Sequence, residues 1–207
     1  MNAQTEVLQI PGPSGSLEVA VDRPSVDPIG TAVIAHPHPL FGGTMSNKVV
    51  QTLARAFVQC GWTSVRFNFR GVGASAGVHD EGRGELDDLL TVVESFAPQG
   101  RLSLAGFSFG AFVTSHATER LHAQREIDRL VLVGTAASRF QVANVPEELH
   151  LRTLVIHGEQ DDTVPLASVM DWARPQTLPV LVVPAGGHFF HGQLPLLRDL
   201  VTRHLSA

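Results

Sequence analysis

Short apolar runs alternate along this chain with longer segments whose apolar positions recur every three or four residues. The first two runs, 6–10 and 16–22, read as a leading antiparallel hairpin joined through Pro11-Gly12-Pro13-Ser14-Gly15, a cluster of turn formers. From residue 31 the rhythm changes. Residues 31–35 form a compact apolar run, and 47–60 carries Val49, Val50, Leu53, Ala54, Phe57 and Val58 at helical spacing. A strand is predicted over 63–69, a glycine-rich loop over 70–77, and a helix over 85–96 that ends at Pro98-Gln99-Gly100. The pattern then predicts a strand at 102–107, a helix at 109–122, and strands at 130–133 and 153–157. A helix at 166–173 is opened by Pro165, followed by a last strand at 180–183 and a closing helix at 194–205.

Strands that alternate with helices imply an α/β fold with a mostly parallel sheet covered on both faces. The later strands are almost continuously apolar, as strands buried on both sides must be. No internal repeat or linker divides residues 1–207, so a single domain is expected. The stretch 134–152 leaves little room for a helical lid, which predicts an open site with no large cap.

Composition narrows the function. The chain of 207 residues is 43% hydrophobic and 17% charged, an ordinary folded composition. A formal charge of −5 and the lack of a Lys/Arg cluster argue against nucleic acid as a partner. The single cysteine, Cys60, forms no intrachain disulfide and fits a reducing compartment; its place before Gly61 suggests helix-end packing. The first residues show no basic segment leading an apolar one, and no run is long enough for membrane insertion. A cytoplasmic location is the expectation.

The segment Gly106-Phe107-Ser108-Phe109-Gly110 places a serine between a predicted strand and a predicted helix. Two glycines allow the tight turn that pushes such a hydroxyl out above a sheet. A serine hydroxyl is a poor nucleophile at neutral pH, so Ser108 needs a base, and the base needs an orienting carboxylate. After the 153–157 strand come Glu159, Asp161 and Asp162. Asp161 follows a short turn and can point back over the sheet, whereas Asp162 reads as solvated or capping and Glu159 as a turn residue. After the last strand, the Ala185-Gly186-Gly187 loop leads to His188, with His191 as its rival. His157 ends a strand and reads as a packed residue.

Acyl transfer also needs donors to a developing oxyanion. The backbone N–H of Phe109 is one. The second falls in His36-Pro37-His38-Pro39-Leu40-Phe41, where Pro37 and Pro39 have no N–H to give. That leaves His38, Leu40 and Phe41; His38 is favoured, with Leu40 behind it. No carboxylate or cysteine cluster accompanies His36 and His38, so a metal site is not expected. The loop 70–77 lacks the Gly-Lys-Ser/Thr of a phosphate-binding loop, and Arg70 reads as bracing nearby backbone. Asp80, Glu81, Asp87 and Asp88 read as a solvated helix face.

Together, His36-Pro37-His38-Pro39-Leu40-Phe41-Gly42-Gly43, Phe67-Asn68-Phe69-Arg70-Gly71-Val72-Gly73, the Ser108 turn, His157-Gly158-Glu159-Gln160-Asp161 and Gly187-His188-Phe189-Phe190 make the chain resemble the α/β-hydrolase superfamily over nearly its full length. It is most similar to the small lidless serine hydrolases. The resemblance implies the α/β-hydrolase fold with an eight-stranded, mostly parallel twisted sheet, and a Ser108–Asp161–His188 triad. It also implies hydrolysis of a small-molecule carboxylic ester or thioester with no metal or organic cofactor. Phe41, Phe107, Phe109, Phe189 and Phe190 are candidates to line an acyl pocket, with core packing as the alternative for each and the better reading for Phe107 and Phe190. A thioesterase, a small peptidase and a non-catalytic binding protein of the same fold are the alternatives. A homodimer is allowed, since a second subunit can partly cover an uncapped site.

Overall fold

The computed structural model describes residues 5–207; the reading of the first four as part of a leaderless start lies outside them. The strands are β1 (Glu6–Gly12), β2 (Gly15–Asp22), β3 (Thr31–Ala35), β4 (Thr63–Phe67), β5 (Leu102–Phe107), β6 (Ile127–Val133), β7 (Thr153–Gly158) and β8 (Val180–Val183). The helices are α1 (Lys48–Gln59), α2 (Arg83–Phe96), α3 (Phe109–His122), α4 (Leu166–Ala173) and α5 (Leu194–Ser206). Among the described residues, eight strands form one sheet in the order β1-β2-β4-β3-β5-β6-β7-β8. Only the pairings of β2 with β1 and with β4 are antiparallel; from β4 to β8 every neighbour runs the same way.

Alternate side chains of each central strand point to opposite faces, so one strand serves two cores. Val33, Leu104, Leu132 and Val155 enter the core beneath α2, α3 and α4. Their neighbours Ile34, Ala105, Val131 and Ile156 enter a second core beneath α1 and α5. Burial on both sides explains why these strands read as continuous apolar runs. Parallel pairing also brings the C-terminal ends of β3, β5, β6, β7 and β8 to a single edge of the sheet. Ligand-binding loops collect at that edge in open α/β sheets.

Several boundaries differ from the sequence expectation, each for a local reason. Asn47 is the cap of α1 rather than its first residue, since its Oδ1 accepts the N–H of Val49 at 2.8 Å. Strand β4 stops at Phe67 because the next backbone groups find other partners, Phe69 N–H donating to His36 Nε2 at 3.0 Å. Helix α2 starts at Arg83, and Glu85 is a residue of its first turn that accepts the Gly82 N–H at 2.8 Å. Strand β6 begins earlier, at Ile127, where Asp128 is paired with Arg101 at 3.0 Å. The solvated-face reading of Asp88 is incorrect: its side chain is fully buried and receives two hydrogen bonds from the Arg70 side chain, at 2.8 and 3.0 Å, and one from the Arg70 N–H at 3.0 Å. The stretch from β6 to β7 holds a turn and the 3-10 helix Glu147–Arg152, with no lid.

Candidate active site

The turn between β5 and α3 is strained in the way its sequence requires. Ser108 has φ 57° and ψ −116°, a conformation that costs a non-glycine residue energy and persists only under strong restraint. The restraint is visible. Ser108 N–H donates to Val133 O at 2.8 Å, tying the turn to β6, and its carbonyl accepts from Ala111 and Phe112. Both flanking glycines are sterically required. A Cβ on Gly106 would lie 2.4 Å from Gly110 O, and one on Gly110 would lie 2.4 Å from Ala35 O.

Loops at the same edge complete a hydrogen-bonded chain. Ser108 Oγ lies 3.0 Å from His188 Nε2, and His188 Nδ1 lies 2.7 Å from Asp161 Oδ2. An ionised carboxylate only accepts, so Nδ1 carries the ring proton and Nε2 faces the serine hydroxyl as an acceptor. Asp161 Oδ1 is held by the N–H groups of Thr163 at 2.9 Å and Val164 at 2.7 Å. Burial works to raise the Asp161 carboxyl, but the hydrogen bonds from His188 and Val164 outweigh it and hold the group below its ordinary value. All three side chains are nearly buried, with Ser108 7% exposed.

The rivals take other roles. Asp162 is exposed and meets only the Thr163 hydroxyl; Glu159 accepts the Ala185 N–H at 2.8 Å and shapes the histidine loop. His191 is exposed in a turn ahead of α5. His157 is fully buried and bonded to Val164 O at 2.9 Å, and burial lowers its pKa, so it is a neutral donor to the Asp161 loop.

The loop after β3 is organised by its histidines. His36 is buried, its Nε2 accepts from Phe69 N–H, and its Nδ1 donates to Pro37 O at 2.6 Å, so both nitrogens are occupied. Burial drives its pKa down to about 4. His38 Nδ1 accepts the Leu40 N–H at 3.2 Å. That bond corrects one expectation: Leu40 has already given its N–H to a side chain and is not free to serve an oxyanion. The Phe41 N–H is likewise given to His38 O at 3.1 Å. The His38 N–H has no acceptor among the described residues, and the Phe109 N–H sits at the first position of α3, where no intrahelical acceptor exists. Burial and the neighbouring His79 both lower the pKa of His38, which keeps its ring neutral.

A cavity of about 330 Å³ opens directly onto Ser108 and His188. Phe41, Phe109 and Phe189 line it, whereas Phe107 and Phe190 are fully buried core residues. Phe140 and Arg139, on the turn after β6, also line it. They escaped sequence reading because no motif marks that turn. Its position after a central parallel strand was the one available signal. A larger cavity, about 790 Å³, opens at the opposite end of the sheet. Its three arginines are already engaged, Arg101 by Asp128, Arg120 by Asp87 and Arg125 by the Gly100 carbonyl, and among the described residues no Ser, Thr or Cys lines it.

The arrangement can activate a hydroxyl, stabilise an imidazolium and offer two backbone donors nearby. Comparison with known proteins agrees with that chemistry. Residues 30–146 match the family described as serine aminopeptidase, S33. A solved α/β serine hydrolase without a lid, from Xanthomonas campestris, is 38% identical, with 100% of this chain and 95% of that one covered and a TM-score of 0.87. An α/β serine hydrolase homologue from Coxiella burnetii is 42% identical, with 97% of each chain covered and a TM-score of 0.82. An uncharacterised protein of Rickettsia prowazekii is 40% identical over 106 residues, which is 49% of this chain and 44% of that protein. This chain therefore matches less than half the length of that curated relative.

Proposed function

We infer the activity from membership: the chain belongs to the α/β-hydrolase superfamily and is a serine hydrolase of the lidless kind. We propose that it cleaves carboxylic esters of small or medium acyl groups through an acyl-enzyme on Ser108. The observation that carries this reading is the unbroken chain Ser108 Oγ–His188–Asp161, at 3.0 and 2.7 Å, facing an open cavity.

In this mechanism His188 Nε2 takes the Ser108 proton as Oγ bonds to the acyl carbon. Asp161 fixes the ring tautomer and stabilises the imidazolium. The carbonyl oxygen gains the negative charge and is held by the N–H groups of Phe109 and His38. Collapse breaks the bond to the leaving oxygen, which takes the proton from His188. Water, deprotonated by the same nitrogen, then attacks the acyl carbon and releases the acid and Ser108.

Thioesters would pass through the same steps. An aminopeptidase reading fits less well. Recognition of a free α-ammonium calls for a carboxylate, and among the described residues no Asp or Glu lines the cavity. A non-catalytic binding protein has no use for a strained serine within hydrogen-bond reach of an oriented imidazole.

The test is labelling with a fluorophosphonate probe, read by intact mass beside Ser108→Ala. One stoichiometric adduct, lost in the variant together with p-nitrophenyl ester hydrolysis, is the expected result. A well-folded protein that takes no label would end this reading.

A further inference from the structure

Among the described residues, Arg139 is the one fully charged side chain in the wall of the Ser108 cavity. It stands on the turn after β6, where the N–H groups of Arg139 and Phe140 both donate to Ala136 O, at 3.2 and 3.1 Å. That strand also holds the serine turn through Val133 O, so the cation is mounted on the same rigid base as the nucleophile. Its guanidinium carbon lies 5.8 Å above the ring centroid of Phe41, on the facing loop. Among the described residues, no carboxylate pairs with it and its side chain makes no hydrogen bond. By contrast, the buried arginines Arg66 and Arg70 are engaged, by Asp22 and Asp88.

An unpaired guanidinium in an otherwise neutral, aromatic wall is a ready partner for an anion. Its planar fork of N–H donors matches the oxygens of a carboxylate or a phosphate. A chain of net charge −5 repels anions at long range, so the local cation decides which of them stay.

We propose that Arg139 selects esters that carry a carboxylate or phosphate beyond the scissile bond, holding that group against the Phe41 face of the cavity. The proposal rests on the serine-hydrolase reading above and adds a substrate class to it. Arg139 is a binding residue here and takes no part in bond breaking.

Two matched pairs of substrates test the proposal and locate the anion. p-Nitrophenyl hydrogen adipate against p-nitrophenyl hexanoate places the charge on the acyl side. 4-Acetoxybenzoate against its methyl ester places it on the leaving group. The readout is the anionic-to-neutral ratio of kcat/KM in the wild type, Arg139→Gln, Arg139→Glu and Arg139→Lys. In at least one pair the ratio should fall about tenfold in Arg139→Gln, the scale of one charge-assisted hydrogen bond. It should fall further in Arg139→Glu and recover in Arg139→Lys. Added salt should erode it, because Arg139 is exposed. Ratios that stay within about twofold in both pairs, while the esters are still hydrolysed, overturn the role of Arg139 alone. Absence of ester turnover and of fluorophosphonate labelling in the wild type overturns the hydrolase reading, and this proposal with it. Arg139 is exposed and makes no side-chain hydrogen bond, so the variants are expected to fold.

Discussion

His157 Nε2 lies 3.5 Å from Asp161 Oδ2, the oxygen that His188 Nδ1 meets at 2.7 Å. One carboxylate oxygen thus has two imidazoles beside it, and only one of them faces the serine. His157 spends its proton on Val164 O, while Val164 N–H holds the other oxygen of Asp161. The buried histidine therefore braces the loop that presents the carboxylate. Replacing it by Gln should lower kcat about tenfold or less and reduce thermal stability, with KM little changed. Steady-state kinetics beside a melting curve separate this positioning effect from a loss of chemistry.

Asp161→Asn should be far more damaging. The amide offers a donor where His188 needs an acceptor, so the ring loses its tautomer; kcat is expected to fall about 10³- to 10⁴-fold. The wild-type carboxyl is depressed, so its contribution to stability is present above the ordinary carboxylate range and is lost as pH falls through the folded value. Urea midpoints of wild type and variant should accordingly converge on acidification.

Stability should also fall over a higher pH window because of His36. Its pKa drops from 6.5 to about 4 in the folded chain through burial. Between these values the unfolded chain holds the extra proton. The stabilisation is therefore complete above 6.5 and fades as pH falls toward about 4, by about 3 kcal/mol in all. His36→Gln should flatten this slope in urea titrations at successive pH values. His38, His157 and His204 are lowered by burial as well, so the comparison is of variant against wild type.

Gly110→Ala should cost about 3 kcal/mol or prevent folding, since the new Cβ meets two backbone oxygens, Ala35 O at 2.4 Å and His36 O at 2.5 Å. Gly42→Ala is the contrast. Its Cβ meets nothing, and only the φ of 76° opposes it, at about 1–2 kcal/mol. Denaturant unfolding of both variants tests whether close packing at the serine turn, rather than glycine loss in general, is what matters.

Asp88→Ala should destabilise by about 3–5 kcal/mol, because it strands the guanidinium of Arg70 in a site built for an ion pair. Asp88→Asn keeps the shape and should cost less. Chemical denaturation is again the measurement.

The Arg70–Asp88 pair shows where sequence reading stops. Strands, helices and the Ser108–Asp161–His188 order were legible because buried parallel strands impose apolar runs and the turn at Ser108 admits few residues. Whether an Asp on an amphipathic helix faces water or a buried arginine depends on a partner 18 residues away in sequence, and no periodicity records that. The Leu40 donor failed for a similar reason: backbone position suggested it, and a side-chain bond to His38 had claimed it. Arg139 and Phe140 went unnoticed because their relevance comes from the strand they follow rather than from any local pattern.

The short passage from β6 to β7 leaves the Ser108 cavity without a roof, and this shapes what the protein can measure. Its walls enclose about 330 Å³ beside Ser108 and extend as far as Phe41 and Arg139. Anything longer passes out into solvent. On the proposed hydrolase reading, selectivity would therefore end where the wall ends, at Phe41 and Arg139, and whatever a substrate carries beyond them would go unread.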